Sequence, residues 1–66
     1  MEVFLNGQPR QVPEGQTVLA LLQSLNLDPE RLAVELDGAI LKKGDWPACR
    51  LRPGVRLEIV QFVGGG

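Results

Sequence analysis

The 66 residues contain no histidine and only one cysteine. The missing histidine removes the commonest metal ligand and the usual general base, and a single cysteine cannot close an intramolecular disulfide. Cys49 therefore fits a reducing compartment. Without a staple, a chain this short draws only about 3–5 kcal/mol from its core. Tyrosine is also absent, and Phe4, Trp46 and Phe62 are too few and too scattered to form a stacking platform for a nucleic acid strand. Charge of neither sign dominates, with seven basic residues against eight acidic ones. Lys42, Lys43, Arg50, Arg52 and Arg56 cluster mildly and read as a solvated rim, weaker than the basic stripe that nucleic acid binding calls for. No apolar run is long enough to span a bilayer, and no basic start followed by an apolar core marks a signal peptide. A cytoplasmic protein with no nucleic acid or membrane partner is the expectation. No serine or cysteine has an evident activating partner, and no glycine-rich loop is set to cradle a phosphate. The chain is expected not to be an enzyme, with no catalytic residues and no metal of its own.

What is present reads as a series of short elements. Glu2 to Asn6 alternates, with Val3 and Leu5 on one face and Glu2, Phe4 and Asn6 on the other. Asn6-Gly7 is a strong hairpin signal, and the polar return run Gln8 to Val12, with Pro9 inside it, predicts an edge strand. After the Pro13-Glu14-Gly15 break, Thr17 fits an N-cap. Val18, Leu21, Leu22 and Leu25 follow at i, i+3, i+4 and i+7, which predicts an amphipathic helix ending near Asn26. Asp28-Pro29 predicts one further helical turn. Leu32, Val34 and Leu36 alternate into a third strand turning at Asp37-Gly38, and Ala39 to Leu41 forms a fourth. Trp46 reads as a satellite anchor beneath the Lys43–Ala48 loop. Pro53-Gly54 turns the chain into a last strand, Val55 to Val63, whose second face passes from Arg56 and Glu58 to Val60 and Phe62.

Two strands, a helix and three strands in that order predict an α+β fold, with a sheet of four to five strands and one main helix covering one face. The other face is left to water, which such sheets tolerate. A single domain is expected over residues 1–63, followed by a flexible glycine tail, 64–66.

The Gly64-Gly65-Gly66 ending carries the main functional signal. Glycine keeps side-chain bulk away from a terminal carboxylate and permits conformations that a narrow channel would demand. From Val63 to Gly66 an extended chain reaches about 13 Å at roughly 3.3 Å per residue. The apolar residues at its root, Val60, Phe62 and Val63, with Phe4 beside them if the first and last strands run in parallel, form a candidate partner-binding patch.

The whole chain resembles the ThiS/MoaD-like family of ubiquitin-like sulfur carriers, and within it the ThiS carriers of thiamin thiazole synthesis. The resemblance rests on Val3-Phe4-Leu5-Asn6-Gly7, on Glu14-Gly15-Gln16-Thr17-Val18 into Leu21-Leu22, and on Val34-Glu35-Leu36-Asp37-Gly38 into Ile40. It continues through Asp45-Trp46, Leu51-Arg52-Pro53-Gly54, Leu57-Glu58-Ile59-Val60 and the Phe62-Val63-Gly64-Gly65-Gly66 ending. The departures, at Asp37, Leu41-Lys42-Lys43 and Val55, fall at turn and surface positions.

The resemblance implies a β-grasp fold with the first and last strands adjacent and parallel. It also implies that the Gly66 carboxylate is the reacting group, tethered by Gly64 and Gly65. A ThiF-like adenylyltransferase would activate it with ATP and Mg, neither bound by this chain. A persulfide donor would convert the acyl-adenylate to a thiocarboxylate, and a ThiG-like thiazole synthase would receive the sulfur. Two alternatives share the activation step: a MoaD-like small subunit of molybdopterin synthase, and a protein modifier conjugated through Gly66. Cys49 has no evident partner residue to activate it and reads as a small packing residue before it reads as a sulfur acceptor.

Overall fold

A computed structural model describes residues 1–63. The expected tail 64–66, and with it the roles assigned to Gly64, Gly65 and Gly66, lies outside the described residues. Two hairpins set most of the sheet. β1 (Glu2–Leu5) and β2 (Gln8–Gln11) are joined by Asn6-Gly7, and β3 (Leu32–Leu36) and β4 (Ala39–Leu41) by Asp37-Gly38. In both two-residue loops both φ angles are positive, 50° and 81° in the first and 50° and 86° in the second. Asparagine and aspartate tolerate this conformation and glycine enters it freely, giving the turn whose twist matches the strands it joins.

β5 (Arg56–Gln61) is inserted between the hairpins, giving the order β2-β1-β5-β3-β4. It runs parallel to β1, as the family resemblance implies, and antiparallel to β3. Each hairpin turn also grips β5 by a side chain. Asp37 accepts from the Arg56 N–H at 3.0 Å. The Asn6 carboxamide accepts from the Ile59 N–H at 2.7 Å and donates to the Ile59 carbonyl at 3.3 Å. Replacing Asn6 by glycine retains the turn conformation and removes only this clamp. Asn6→Gly is expected to lower stability by about 1–2 kcal/mol, read as a shifted urea midpoint with an unchanged slope.

Met1 and Val12 exchange both backbone bonds, so the alternation of an antiparallel ladder leaves the Pro9 nitrogen facing away from β1. The proline therefore costs β2 no bond to its neighbour and blunts the outer edge of the sheet.

The helix α1 (Val18–Ser24) opens on Thr17, whose hydroxyl accepts from the Ala20 N–H at 3.1 Å. It ends near Asn26, as the apolar spacing predicts. Asn26 is not its last residue but the left-handed residue beyond its C-cap, with φ 58°. The Asn26 N–H bonds Gln23 and the Leu27 N–H bonds Leu22, which closes the helix in a Schellman motif. The expected further turn is a single 3-10 turn, Pro29–Arg31, capped by the Asp28 carboxylate on the Glu30 N–H at 3.0 Å.

α1 lies across the sheet face that bears Val3, Val34 and Leu57, and the core is the cluster these make with Val18, Leu21, Leu22, Leu32, Leu51 and Val55. Trp46 belongs to this cluster at 2% exposure, the largest of its fully buried side chains. It is therefore a centre of the main core and not a satellite anchor. A 3-10 turn at Lys43–Asp45 delivers it, and its indole Nε1 donates to the Leu41 carbonyl at 3.1 Å. The last strand is shorter than predicted, ending at Gln61, although the Phe62 N–H still donates to the Arg31 carbonyl at 2.7 Å. Val55 lies before the strand and Val63 after it.

Candidate functional site: the open sheet face and the root of the chain end

The sheet face opposite α1 is left uncovered by the described residues. β5 presents Arg56, Glu58 and Val60 on it, and Phe62 continues the alternation. Val60 is 51% exposed, Phe62 55% and Val63 86%. The β3 residue beside Val60 is Ala33. On β4, Ile40 lies opposite Glu35 and is 80% exposed. Ala33 and Ile40 sit diagonally, about 7–8 Å apart across β3 and β4. The apolar surface thus runs Phe62, Val60, Ala33, Ile40, obliquely across three strands.

Phe4 does not join it. β1 and β5 are parallel, but their register sets Phe4 beside Arg56 and not beside Val60. The two side chains are four residues apart along β5, about 13 Å at ~3.3 Å per residue, with Glu58 between them. Phe4 is half-buried, and the Arg56 guanidinium stands 5.5 Å from the centre of its ring, a cation–π contact that covers it. The structure therefore brings Val60 and Phe62 to one end of the face and leaves Phe4 at the other, while the alternation sets Val63, beyond the strand, out of step with them.

Ile40 and Ala33 complete the surface, and both escaped the sequence reading. The signal was available. A two-residue turn at Asp37-Gly38 sets Leu36 against Ala39 and hence Glu35 against Ile40, on the polar face of β3.

The middle of the face is acidic, because Glu35 and Glu58 are direct cross-strand partners. Like charges so placed cost stability unless a cation meets them. The basic cluster is dispersed. Arg56 covers Phe4, Arg50 donates to the Gly15 carbonyl at 2.9 Å, and Lys43 reaches Glu30 at 2.7 Å on the surface. Cys49 is half-buried and packed against the core, and its backbone carbonyl receives the Val18 N–H at 2.9 Å. Among the described residues no cavity is found, no three His, Cys, Asp or Glu side chains converge as metal ligands, and no helix is long and apolar enough to cross a membrane.

A five-stranded mixed sheet, parallel at its centre and crossed by one helix, is a ubiquitin-like β-grasp domain. The crystal structure of a thiamine biosynthesis protein (ThiS) from Geobacter metallireducens superposes with a TM-score of 0.86 at 33% identity, covering all of both chains. The model of the ThiS family matches residues 3–66, and the chain belongs to that family. Two curated relatives, the thiazole synthases of Magnetococcus marinus and Paramagnetospirillum magneticum, are each 38% identical over all 66 residues. The chain spans only 20% of the length of either.

Proposed function

We propose that this chain is a sulfur carrier of thiamin biosynthesis, a co-substrate and not an enzyme, whose reacting group is the carboxylate of Gly66. The observation that carries this reading is the ThiS family match, which extends to the glycine ending itself. The open face supports it, because an exposed apolar surface at the root of that ending is what a docking protein would grip. A free carboxylate is a poor electrophile, since its charge repels nucleophiles and oxide is not a viable leaving group. A ThiF-like adenylyltransferase would remove both obstacles by transferring AMP from Mg-ATP to Gly66, releasing pyrophosphate. A persulfide sulfur would displace AMP to give an acyl disulfide. A second thiol of the donor would cleave its S–S bond, leaving a disulfide on the donor and a thiocarboxylate on Gly66. That thiocarboxylate would pass its sulfur to a ThiG-like thiazole synthase. The two thiazole synthase relatives favour that recipient, since a region like this chain occupies a fifth of each.

In this reading residues 1–63 are the docking body and 64–66 the tether. Ordering such a tether costs on the order of 1–2 kcal/mol per residue, which docking of the body has to offset. Phe62 is the largest exposed apolar side chain at the root, so Phe62→Ala is expected to weaken the complex with the adenylyltransferase by about 2 kcal/mol, roughly 30-fold. The unfolding midpoint should stay put, because Phe62 lies outside the core cluster. Titration calorimetry beside a urea melt checks both halves.

Intact mass spectrometry after incubation with ATP, a ThiF-type enzyme and a sulfur donor tests the chemistry. One oxygen exchanged for one sulfur, located on Gly66, is the expected result. A gain on Cys49 overturns the assignment, and isopeptide conjugates through Gly66 replace it with protein modification. Transfer of the sulfur to a molybdopterin synthase large subunit, and not to a thiazole synthase, moves the chain to the other pathway.

A further inference from the structure

β5 changes character within its own length. β1 is paired to it only as far as Leu5, opposite Leu57. At Ile59 a continuing ladder would need another peptide group, and the Asn6 carboxamide takes that place, bonding both the N–H and the carbonyl. Beyond Asn6 the turn carries the chain away into β2. On its other side β5 stays paired, through Val60 with Ala33, Gln61 with Leu32, and the Phe62 N–H on the Arg31 carbonyl.

Backbone groups alternate along a strand. Those of Arg56 and Phe62 face β3, so those of Gln61 and Val63 face the side that β1 has left. Both residues are exposed, and no partner for them on that side is found among the described residues. The last stretch of β5 is therefore held in register by one neighbour, while none of the described residues pairs with its opposite edge.

The two outer edges of the sheet are guarded in the usual ways. β2 turns the Pro9 nitrogen outward, and β4 is three residues long. The edge at Gln61–Val63 has no proline, no charge and no bulge. Its chemistry, backbone donors and acceptors at strand spacing, matches an extended peptide and little else. We propose that this edge receives an extended segment of the protein that takes up the chain end. The segment is added as a strand in line with β1 and bonded to the backbone of Gln61 and Val63. The identity of the partner rests on the sulfur-carrier reading. The added strand extends it, because it fixes the heading of the chain immediately before the glycines.

Amide hydrogen exchange by NMR on the full chain, alone and with a ThiF-type adenylyltransferase, tests the pairing. In the free chain the Gln61 and Val63 amides should exchange at least about tenfold faster than that of Phe62, and binding should slow them by a similar factor. Gln61→Pro removes one outward donor without touching the bonds to β3. It should weaken binding roughly tenfold, the worth of one hydrogen bond, while Gln61→Ala binds as wild type. A complex that forms with both amides still exchanging as in the free chain overturns the added strand and leaves the carrier reading standing. Failure of any complex to form overturns both. Protection that appears in the chain alone and grows with its concentration gives the edge to a second copy and also overturns the proposal.

Discussion

Replacing Trp46 by alanine is expected to abolish the cooperative unfolding transition at 25 °C. Removing a buried tryptophan costs about 3–5 kcal/mol in lost transfer energy and residual cavity. A single core in a chain of this size supplies about 3–5 kcal/mol in total, so the loss consumes the whole margin. The position aggravates the effect. The residue sits at the close of a 3-10 turn, its indole holds the Leu41 carbonyl, and its own carbonyl receives the Leu19 N–H at 3.2 Å. The residue thus joins the end of β4, through its side chain, to the start of α1, through its backbone. Trp46→Phe separates the two contributions, since it keeps an aromatic ring in the core and loses the indole bond, at a cost of about 1–2 kcal/mol for that bond. Far-UV circular dichroism during a urea titration reads both variants. A W46A chain that still melts cooperatively, with its midpoint little changed, would mean that the Leu21, Leu22 and Val34 side chains can close over the site.

Trp46 also marks where the sequence stops being legible. Its bulk predicts burial, but a tryptophan in a loop does not reveal which elements that loop folds against. Those contacts are long-range, and only the finished chain brings the loop beneath the start of the helix. The hairpins are the opposite case. Asn6-Gly7 and Asp37-Gly38 fix both turn type and register locally, so β1 with β2 and β3 with β4 could be paired residue by residue, Ile40 included. The helix and its end near Asn26 are legible in the apolar spacing, whereas the left-handed conformation of Asn26 that closes it is not.

The parallel pairing of β1 with β5 has no turn to set it. Its existence followed from the family resemblance and its register from nothing local. The sequence alone therefore sets Phe4 with Val60, although Phe4 pairs with Arg56, four positions earlier on β5. The half of the site carried by one strand, Val60 with Phe62, was visible in the alternation of β5. The half that depends on which strands become neighbours was not.

The largest functional effect is expected at the other end of the chain, from changing its length by one residue. Deleting Gly66 leaves Gly65 with a terminal carboxylate of identical chemistry, and adding a glycine after Gly66 does the same one residue further out. Neither change alters the electrophile or the docking face. Each shifts the carboxylate relative to that face by about 3.3 Å. If Val60, Phe62 and Ile40 seat the body on the adenylyltransferase, the tether cannot slide to compensate without unseating them. A misplacement of about 1 Å at a reacting centre is enough for a hundredfold loss. Adenylate formation, followed by pyrophosphate release, should therefore fall by at least about a hundredfold in both variants. Stability should not change, because the buried cluster contains nothing beyond Leu57, and Ile59 is the last residue packed against it. The pattern separates length from affinity. Phe62→Ala should be rescued by raising the carrier concentration, whereas the length variants should stay slow at saturation. A deletion variant activated at the wild-type rate would show that the partner does not gauge the distance from Phe62 to the carboxylate, and the docking face would then lose its role as the fixed point from which the reacting group is aimed.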